Sequence, residues 1–473
     1  MIDSLVDELG AALSPDRVRV GATELALYRR DASNLEGRAG VVCFPTTAAE
    51  VQACVRVAVK HRRPFVARGA GTGLAGGATP LDDAVLIVTT KMNRVLAVDP
   101  VNRLAWVEPG VLNLDLTRAV SSLGLHFAPD PSSQQSCSIG GNVANNSGGP
   151  HCLADGVTTA HVLGLEVVLP DGEIVQLGGD TAEPAGYDLR GAFVGSEGMC
   201  GITTKVCVRL TQSPPAVRTL LMDFASVEDG AQTVSAIIAA GMVPAALEMM
   251  DQLCTRAVEE YIHAGLPVDA AAILLVEVAG LPNGLEADVQ RIVEIGMAHG
   301  SGTVRIAQDE AERALLWKGR KNAFGAIARI KPNYYLHDTV VPRRRLPEVL
   351  KQVYEIVERH ELLVMNVFHA GDGNLHPLLV FDKREPGVMD RVHAAGEEIV
   401  RVSVAAGGVL SGEHGIGLEK RDFMSLMFND DDLDAQARLR RSFDTTGLAN
   451  PNKVLPSPAS CGDVQHVPEG AWI

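Results

Sequence analysis

The stretch PFVARGAGTGLAGGATP, residues 64–80, decides how the N-terminal part of the chain is read. A short apolar strand over residues 64–67 runs into a loop with glycines at 69, 71, 73, 76 and 77. Such positions accept φ > 0 and let the backbone approach a ligand closely, so successive N–H groups turn inward as a nest for phosphate oxygens. The string Gly71-x-Gly73-x-x-Gly76 also satisfies the dinucleotide fingerprint, which requires a helix directly after it and a parallel strand beyond. The chain instead continues with Gly77, Pro80, two aspartates and the strand-like run AVLIVTT, residues 84–90. No helix fits there. A strand–loop–strand phosphate cradle is therefore the better reading, a Rossmann nicotinamide site is disfavoured, and a glycine loop without a ligand is the plain alternative.

Working outward, residues 40–44 read as a strand and 46–61 as a helix, with Thr47 and Glu50 at capping-box spacing and Val51, Cys54, Val55 and Val59 on one face. Residues 103–111 read as a strand and 112–123 as a helix. The second glycine-rich region, residues 128–150, has almost no periodicity, and flanking strands mark it as a functional loop. Residues 161–177 form a hairpin turning at Asp171-Gly172. Ser213-Pro214-Pro215 breaks the pattern, and beyond it strand-like and helical runs alternate, as in an α+β domain with an antiparallel sheet. The expected division is 1–215, then 216–442, then a C-terminal segment 443–473 returning to the first domain.

At 473 residues the chain is long enough for two or three cores. A formal charge of −16 argues against a nucleic-acid or anionic-membrane surface, so an anionic substrate must be met by local cations. The eight cysteines include no C-x-x-C pair, which suits reduced thiols in a cytoplasmic protein and not an iron–sulfur cluster. The first residues alternate like an amphipathic helix, unlike a signal peptide, and the longest apolar run is broken by Gly241, Pro244 and Glu248.

The chemistry concentrates in LLVMNVFHAGDGNLHPLLVF, residues 362–381. On a helix, His369 and His376 would lie about 10 Å apart, too far to share a metal. As a hairpin turning at residues 371–374, the histidines would face each other across the strands at roughly 5 Å between Cβ atoms. Glu413, in VLSGEHGIGLEKR, offers a third ligand, and two His with one carboxylate leave open positions suited to catalytic zinc, manganese or ferrous iron. Hydrogen-bonded histidines in a tight hairpin are the structural alternative. His414 beside that ligand suits a neutral general base, or a structural histidine. Arg320 and Lys321 fall on a helix, where basic residues usually make a solvated face, although Arg near a metal suits carboxylate recognition. Asp338 suits either a turn cap or a partner for a histidine.

RGAGTGLAGG, CSIGGNVANNSGG, VLGLEVVLPDG and GSEGMCGITT together resemble the flavin-binding domain of the vanillyl-alcohol-oxidase-type flavoproteins. The resemblance implies that FAD is held by Arg68, Gly69, Ala70, Gly71, Thr72, Gly73, Pro129, Ser138, Gly140, Gly141, Asn142, Asn145, Gly156, Val157, Gly201, Ile202 and Lys453. No histidine lies in residues 64–80, so the flavin is implied to be noncovalent. WKGRKNAF, HDTVVPRR and FHAGDGNLHPLLVFD are similar to the D-2-hydroxyacid dehydrogenase branch of the same superfamily, glycolate-oxidising members above all. That likeness implies an α+β cap domain, His369, His376 and Glu413 as metal ligands, Arg320 as carboxylate anchor and His414 as base. Where the D-2-hydroxyglutarate members carry Asn and Lys, this chain has Leu378 and Leu336, which favours a small monocarboxylate. Glycolate is the expected substrate and D-lactate the alternative. Reoxidation implies partners, a second flavin-fold subunit and an iron–sulfur subunit, or a quinone, in the cytoplasm or peripheral to the inner membrane through those partners. A noncatalytic flavin-fold subunit would be expected to lack the His and Arg set. A metal-dependent hydrolase would have no need of the glycine loops.

Overall fold

The apolar run after Pro64 forms the strand Phe65–Arg68, which pairs in parallel with Ala84–Val88, itself parallel to Ala39–Cys43. No helix intervenes over residues 69–83, so the connection is the loop that the glycines demand. The computed structural model describes residues 2–181, 185–327 and 329–456, in two compact units. No helix among them is long and apolar enough to cross a membrane. The cysteines described are all free thiols, and Cys461 lies outside the described residues.

Among the described residues, the first unit comprises those within 2–148, 157–213 and 413–456. Helix Ala48–Lys60, capped by Thr47 accepting from the Glu50 amide at 3.2 Å, buries Val51, Cys54 and Val55 against Val41, Phe65 and Ile87 of the parallel sheet. A second, antiparallel sheet runs in the order Val95–Asp99, Leu104–Val107, Ile202–Arg209, Val162–Val168, Ile174–Gly178. Its last two strands form the hairpin read from Asp171-Gly172, with Gly172 at φ 85°. Residues 128–150 are not wholly irregular. A seven-residue helix, Ile139–Asn145, stands where small polar residues hid the periodicity, with Ser138 as its N-cap.

The second unit comprises Gly149–Gly156 and Pro214–Gly412. Its antiparallel sheet places Ser301–Ile306, Ala216–Phe224, Ala272–Gly280, Ala246–Asp251 and Leu363–His369 side by side. One face carries Leu220, Met222, Leu247, Met249, Leu274 and Val276 into a core closed by helices Val227–Ala239, Pro282–Ala298, Leu346–Arg359 and Val388–Ala405. Because strand side chains alternate, Glu248 and Glu277 point to the other face. Both are buried.

The observed division corrects the expected one. The chain re-enters the first unit at Glu413, not at residue 443, because Leu418 donates its amide to Ala75 O at 2.8 Å and Ile416 donates to Glu197 Oε1 at 2.7 Å. Farther on, Phe65 N binds Leu448 O and Asn450 N binds Phe65 O, which extends the parallel sheet by a bridge at Ala449.

Glu277 is held by Trp317 Nε1 at 2.6 Å, Thr219 Oγ1 at 2.9 Å, Arg313 Nε at 3.0 Å and His151 Nε2 at 3.3 Å. Burial alone would raise its pKa, but His151 and Arg313 outweigh it and hold the carboxyl at about 2 against an ordinary 4.5. A depressed carboxyl stabilises the fold above the unfolded-state value and loses that contribution as pH falls through the folded value. Glu277→Gln should therefore cost about 3 kcal/mol at pH 7. The deficit relative to wild type should shrink between about pH 4.5 and 2. Urea denaturation across that range reads it, and a deficit independent of pH would mean that charge is not what holds the cluster.

Candidate functional site

The glycine loop is shaped from beneath. Gly71 and Gly76 lie at φ 73° and 77°, conformations that residues bearing a Cβ adopt with strain. Among the described residues, the amides of Gly71, Thr72 and Gly73 donate to no protein acceptor. Lys453, wholly buried, donates from Nζ to Thr79 O at 2.6 Å and Gly76 O at 3.1 Å, so its first task is to clamp the loop. Burial draws its pKa down to about 8 against the pull of Asp31 and Glu197. Arg68 is likewise engaged: Nη1 binds Arg30 O at 2.9 Å and the guanidinium lies 5.6 Å from the centroid of Tyr28.

The other loop residues divide by task. Ser138 Oγ accepts from Gly141 N at 3.4 Å, Gly140 N binds Pro109 O at 2.8 Å, and Asn113 Nδ2 joins Pro129 O at 2.8 Å to Asn142 Oδ1 at 3.0 Å. Asn145 Nδ2 donates to His414 O at 2.7 Å. Gly201, at φ 137°, precedes the strand that begins at Ile202, and Val157 opens the return to the first unit after Gly156. Glu197, not singled out by sequence reading, receives Ile416 N at 2.7 Å and Gly417 N at 3.1 Å. Burial raises its pKa.

In the second unit, the strand Leu363–His369 turns through residues 370–373 into Asn374–Leu375 and then Pro377–Phe381. The register corrects the hairpin expectation: His369 pairs with Asn374, and His376 is its diagonal neighbour two residues on. Diagonal neighbours share a face within reach of aromatic rings, and the imidazoles meet at 5.1 Å between centroids, 80° apart in plane. Asp338, fully buried, lies with Oδ1 3.3 Å from His376 Nε2. It also accepts from Asn374 Nδ2 at 2.7 Å, Ser411 Oγ at 2.6 Å and Gly412 N at 3.0 Å. It thus lies beside a histidine and holds the backbone that leads into Glu413.

Arg320 is not on a solvated face. Helix Glu310–Lys321 lays Arg313, Trp317 and Arg320, at i, i+4 and i+7, on the sheet face carrying the two buried glutamates. Arg320 is 1% exposed, with Nε 2.7 Å and Nη2 2.5 Å from Glu248 Oε2. The other oxygen, Oε1, lies 2.8 Å from His369 Nδ1. Sequence reading missed the roles of Glu248 and Glu277, and the available signal was a carboxylate in the interior of a largely apolar strand, ALEMMD and AILLVEVAG. Glu413 and His414 open the returning segment of the first unit, His414 Nε2 lying 3.9 Å from Glu413 Oε1.

Residues 213–454 match the model of the C-terminal domain of FAD linked oxidases, and residues 39–178 match that of an FAD binding domain. The chain belongs to the FAD-linked oxidase family. Within it, the chain is 48% identical to the glycolate oxidase subunit GlcD of Escherichia coli K12, over 91% of this chain and 87% of that one. It is 32% identical to the Danio rerio protein named "Probable D-lactate dehydrogenase, mitochondrial", over 96% and 92%. The solved structure of p-cresol methylhydroxylase superposes with TM-score 0.79 over 96% of each chain at 17% identity, which shows the fold. This FAD-linked oxidoreductase thus pairs a vanillyl-alcohol-oxidase-type flavin domain with an α+β domain. The first unit fits FAD: among the described residues the loop amides of residues 71–73 are unengaged, and a Cβ at Gly73 would meet nothing closer than 3.8 Å.

Removing the Asp338 carboxylate strands one buried donor, Asn374 Nδ2, at about 1–3 kcal/mol, and two half-buried ones on Ser411 and Gly412 at less. Asp338→Ala should lower the melting temperature and speed amide exchange at Ser411 and Gly412. Unchanged exchange there would show that the carboxylate does not hold this segment.

Proposed function

We propose that the chain oxidises a small D-2-hydroxy acid, glycolate first, to the 2-oxo acid. The observation that carries this reading is the 48% identity to a glycolate oxidase subunit over nine-tenths of the chain. D-lactate is the second reading, favoured by the 32% identity to the Danio rerio protein. The two acids differ by a methyl group, which a pocket discriminates by only about 1–3 kcal/mol.

His369, His376 and Glu413 hold a divalent cation of the zinc, manganese or iron type. The paired imidazoles and the anchoring of Gly412, next in the chain to Glu413, support that donor set. FAD, when bound, would supply a two-electron acceptor, and a cation held by these residues would lower the pKa of the substrate hydroxyl. Arg320 presents its remaining N–H edge to the substrate carboxylate. His414, its carbonyl tied to Asn145, accepts the hydroxyl proton. Leu336 and Leu378 are buried cross-strand partners and offer no cation to a second carboxylate, in keeping with a monocarboxylate. The electrons pass to a second flavin-fold subunit and an iron–sulfur subunit, a reading supported by the relative's description as a subunit.

Anaerobic titration of the FAD-loaded protein with glycolate, D-lactate, L-lactate and D-2-hydroxyglutarate tests the substrate. Bleaching of the flavin by glycolate or D-lactate but not by L-lactate is expected, and bleaching by none would sink the reading. His376→Ala should lose cation and turnover while retaining flavin, since the glycine loop and this histidine belong to different units; loss of flavin would reject that separation. Arg320→Lys replaces a fork by a point charge and should raise KM at least tenfold, and an unchanged KM would remove Arg320 from substrate binding.

A further inference from the structure

Glu248 stands on the strand Ala246–Asp251, directly opposite His369 in the ladder. Its two oxygens are divided between two partners. Oε1 meets His369 Nδ1 at 2.8 Å, and Oε2 meets Arg320 Nε at 2.7 Å and Nη2 at 2.5 Å. Arg320, Glu248 and His369 are 1%, 1% and 3% exposed, so water does not loosen either contact. An ion-paired carboxylate only accepts, which places the His369 proton on Nδ1 and leaves Nε2 with its lone pair for a cation.

We propose that Glu248 is a positioning residue that couples cation binding at His369 to carboxylate recognition by Arg320. The inference rests on the cation and anchor roles proposed above and adds the link between them. A glutamine here cannot serve both partners. With its oxygen toward Arg320, the amide NH2 faces His369 Nδ1 and drives the proton to Nε2, blocking the ligand. With its oxygen toward His369, the NH2 faces a guanidinium, donor against donor, and Arg320 must move. One carboxylate thus fixes a tautomer on one side and the aim of a cation on the other.

The test is Glu248→Gln in the FAD-loaded full chain, read first without turnover. Zn2+ affinity, measured by competition with a chromophoric chelator, should fall tenfold or more, the range seen when a ligand histidine loses its carboxylate partner. At saturating Zn2+, kcat should recover toward wild type while KM for the hydroxy acid stays raised at least fivefold. A structural role would lower the melting temperature and leave Zn2+ affinity and KM as they were, and that result overturns the proposal. Wild-type Zn2+ affinity lost in His376→Ala but kept in Glu248→Gln overturns the coupling alone, whereas a wild-type protein that binds no Zn2+ overturns the cation role and the coupling together. If the Gln variant does not fold, Glu248→Asp decides. Its shortened carboxylate reaches one partner only, so a threefold or greater loss in Zn2+ affinity or a threefold or greater rise in KM supports the link, and wild-type values for both overturn it.

Discussion

Two carboxylates set into an antiparallel sheet govern the arrangement of the second unit. Neither Glu248 nor Glu277 is tolerable in an apolar strand by itself, because a buried charge costs several kcal/mol unless it is paired and hydrogen-bonded. The requirement is met largely from one helix, whose Arg313 and Trp317 go to Glu277 and whose Arg320 goes to Glu248, with Thr219, His151 and His369 completing the set. The need to satisfy the carboxylates therefore fixes the rotation of that helix about its axis and its height over the sheet. Hydrophobic contact alone specifies such things loosely. Buried charge makes the orientation specific, at some cost in stability.

The same arrangement explains how a cation can stand inside a protein of strongly negative net charge without being lost to the surface. Arg320 is held by a neighbour that neutralises it, and that neighbour also meets a histidine from the adjoining strand. Asp338 plays a parallel part on the other histidine, with Asn374, Ser411 and Gly412 as its remaining partners. Each imidazole of the pair therefore has a buried carboxylate beside it, and a hydrogen bond to Glu248 orients the ring of His369.

Much of this was legible in the sequence because it rests on local rules. A glycine loop between two strands, a hairpin at Asp171-Gly172 and a helix begun by Thr47 each arise from conformational preferences of a few residues. The two histidines were legible as a pair but not in their register, since the turn at residues 370–373 aligns His369 with Asn374 and only its geometry shows this. The short helix Ile139–Asn145 escaped because glycine and asparagine carry no apolar period. The point of re-entry at Glu413 and the role of Glu248 were not legible, since both depend on partners tens to hundreds of residues away. Arg320 was identified by its chemistry, while its burial against a strand 72 positions earlier was beyond any local pattern.

The division of the chain also has a bearing on its synthesis. The chain crosses between the units four times, and Gly149–Gly156 is donated to the second unit from within the first. Residues 214–412 can therefore complete their sheet while the flavin-binding unit still lacks its last edge. Asn450, which donates to Gly77 O, is made 373 residues after it. At ordinary translation rates of about 5–20 residues per second, that is a delay of roughly 20 to 75 s. Through that interval the glycine loop has neither Lys453 nor Asn450 beneath it, so the unit can mature into its flavin-holding form only near the end of translation, and a ribosome stalled late yields a finished second unit beside an unfinished first.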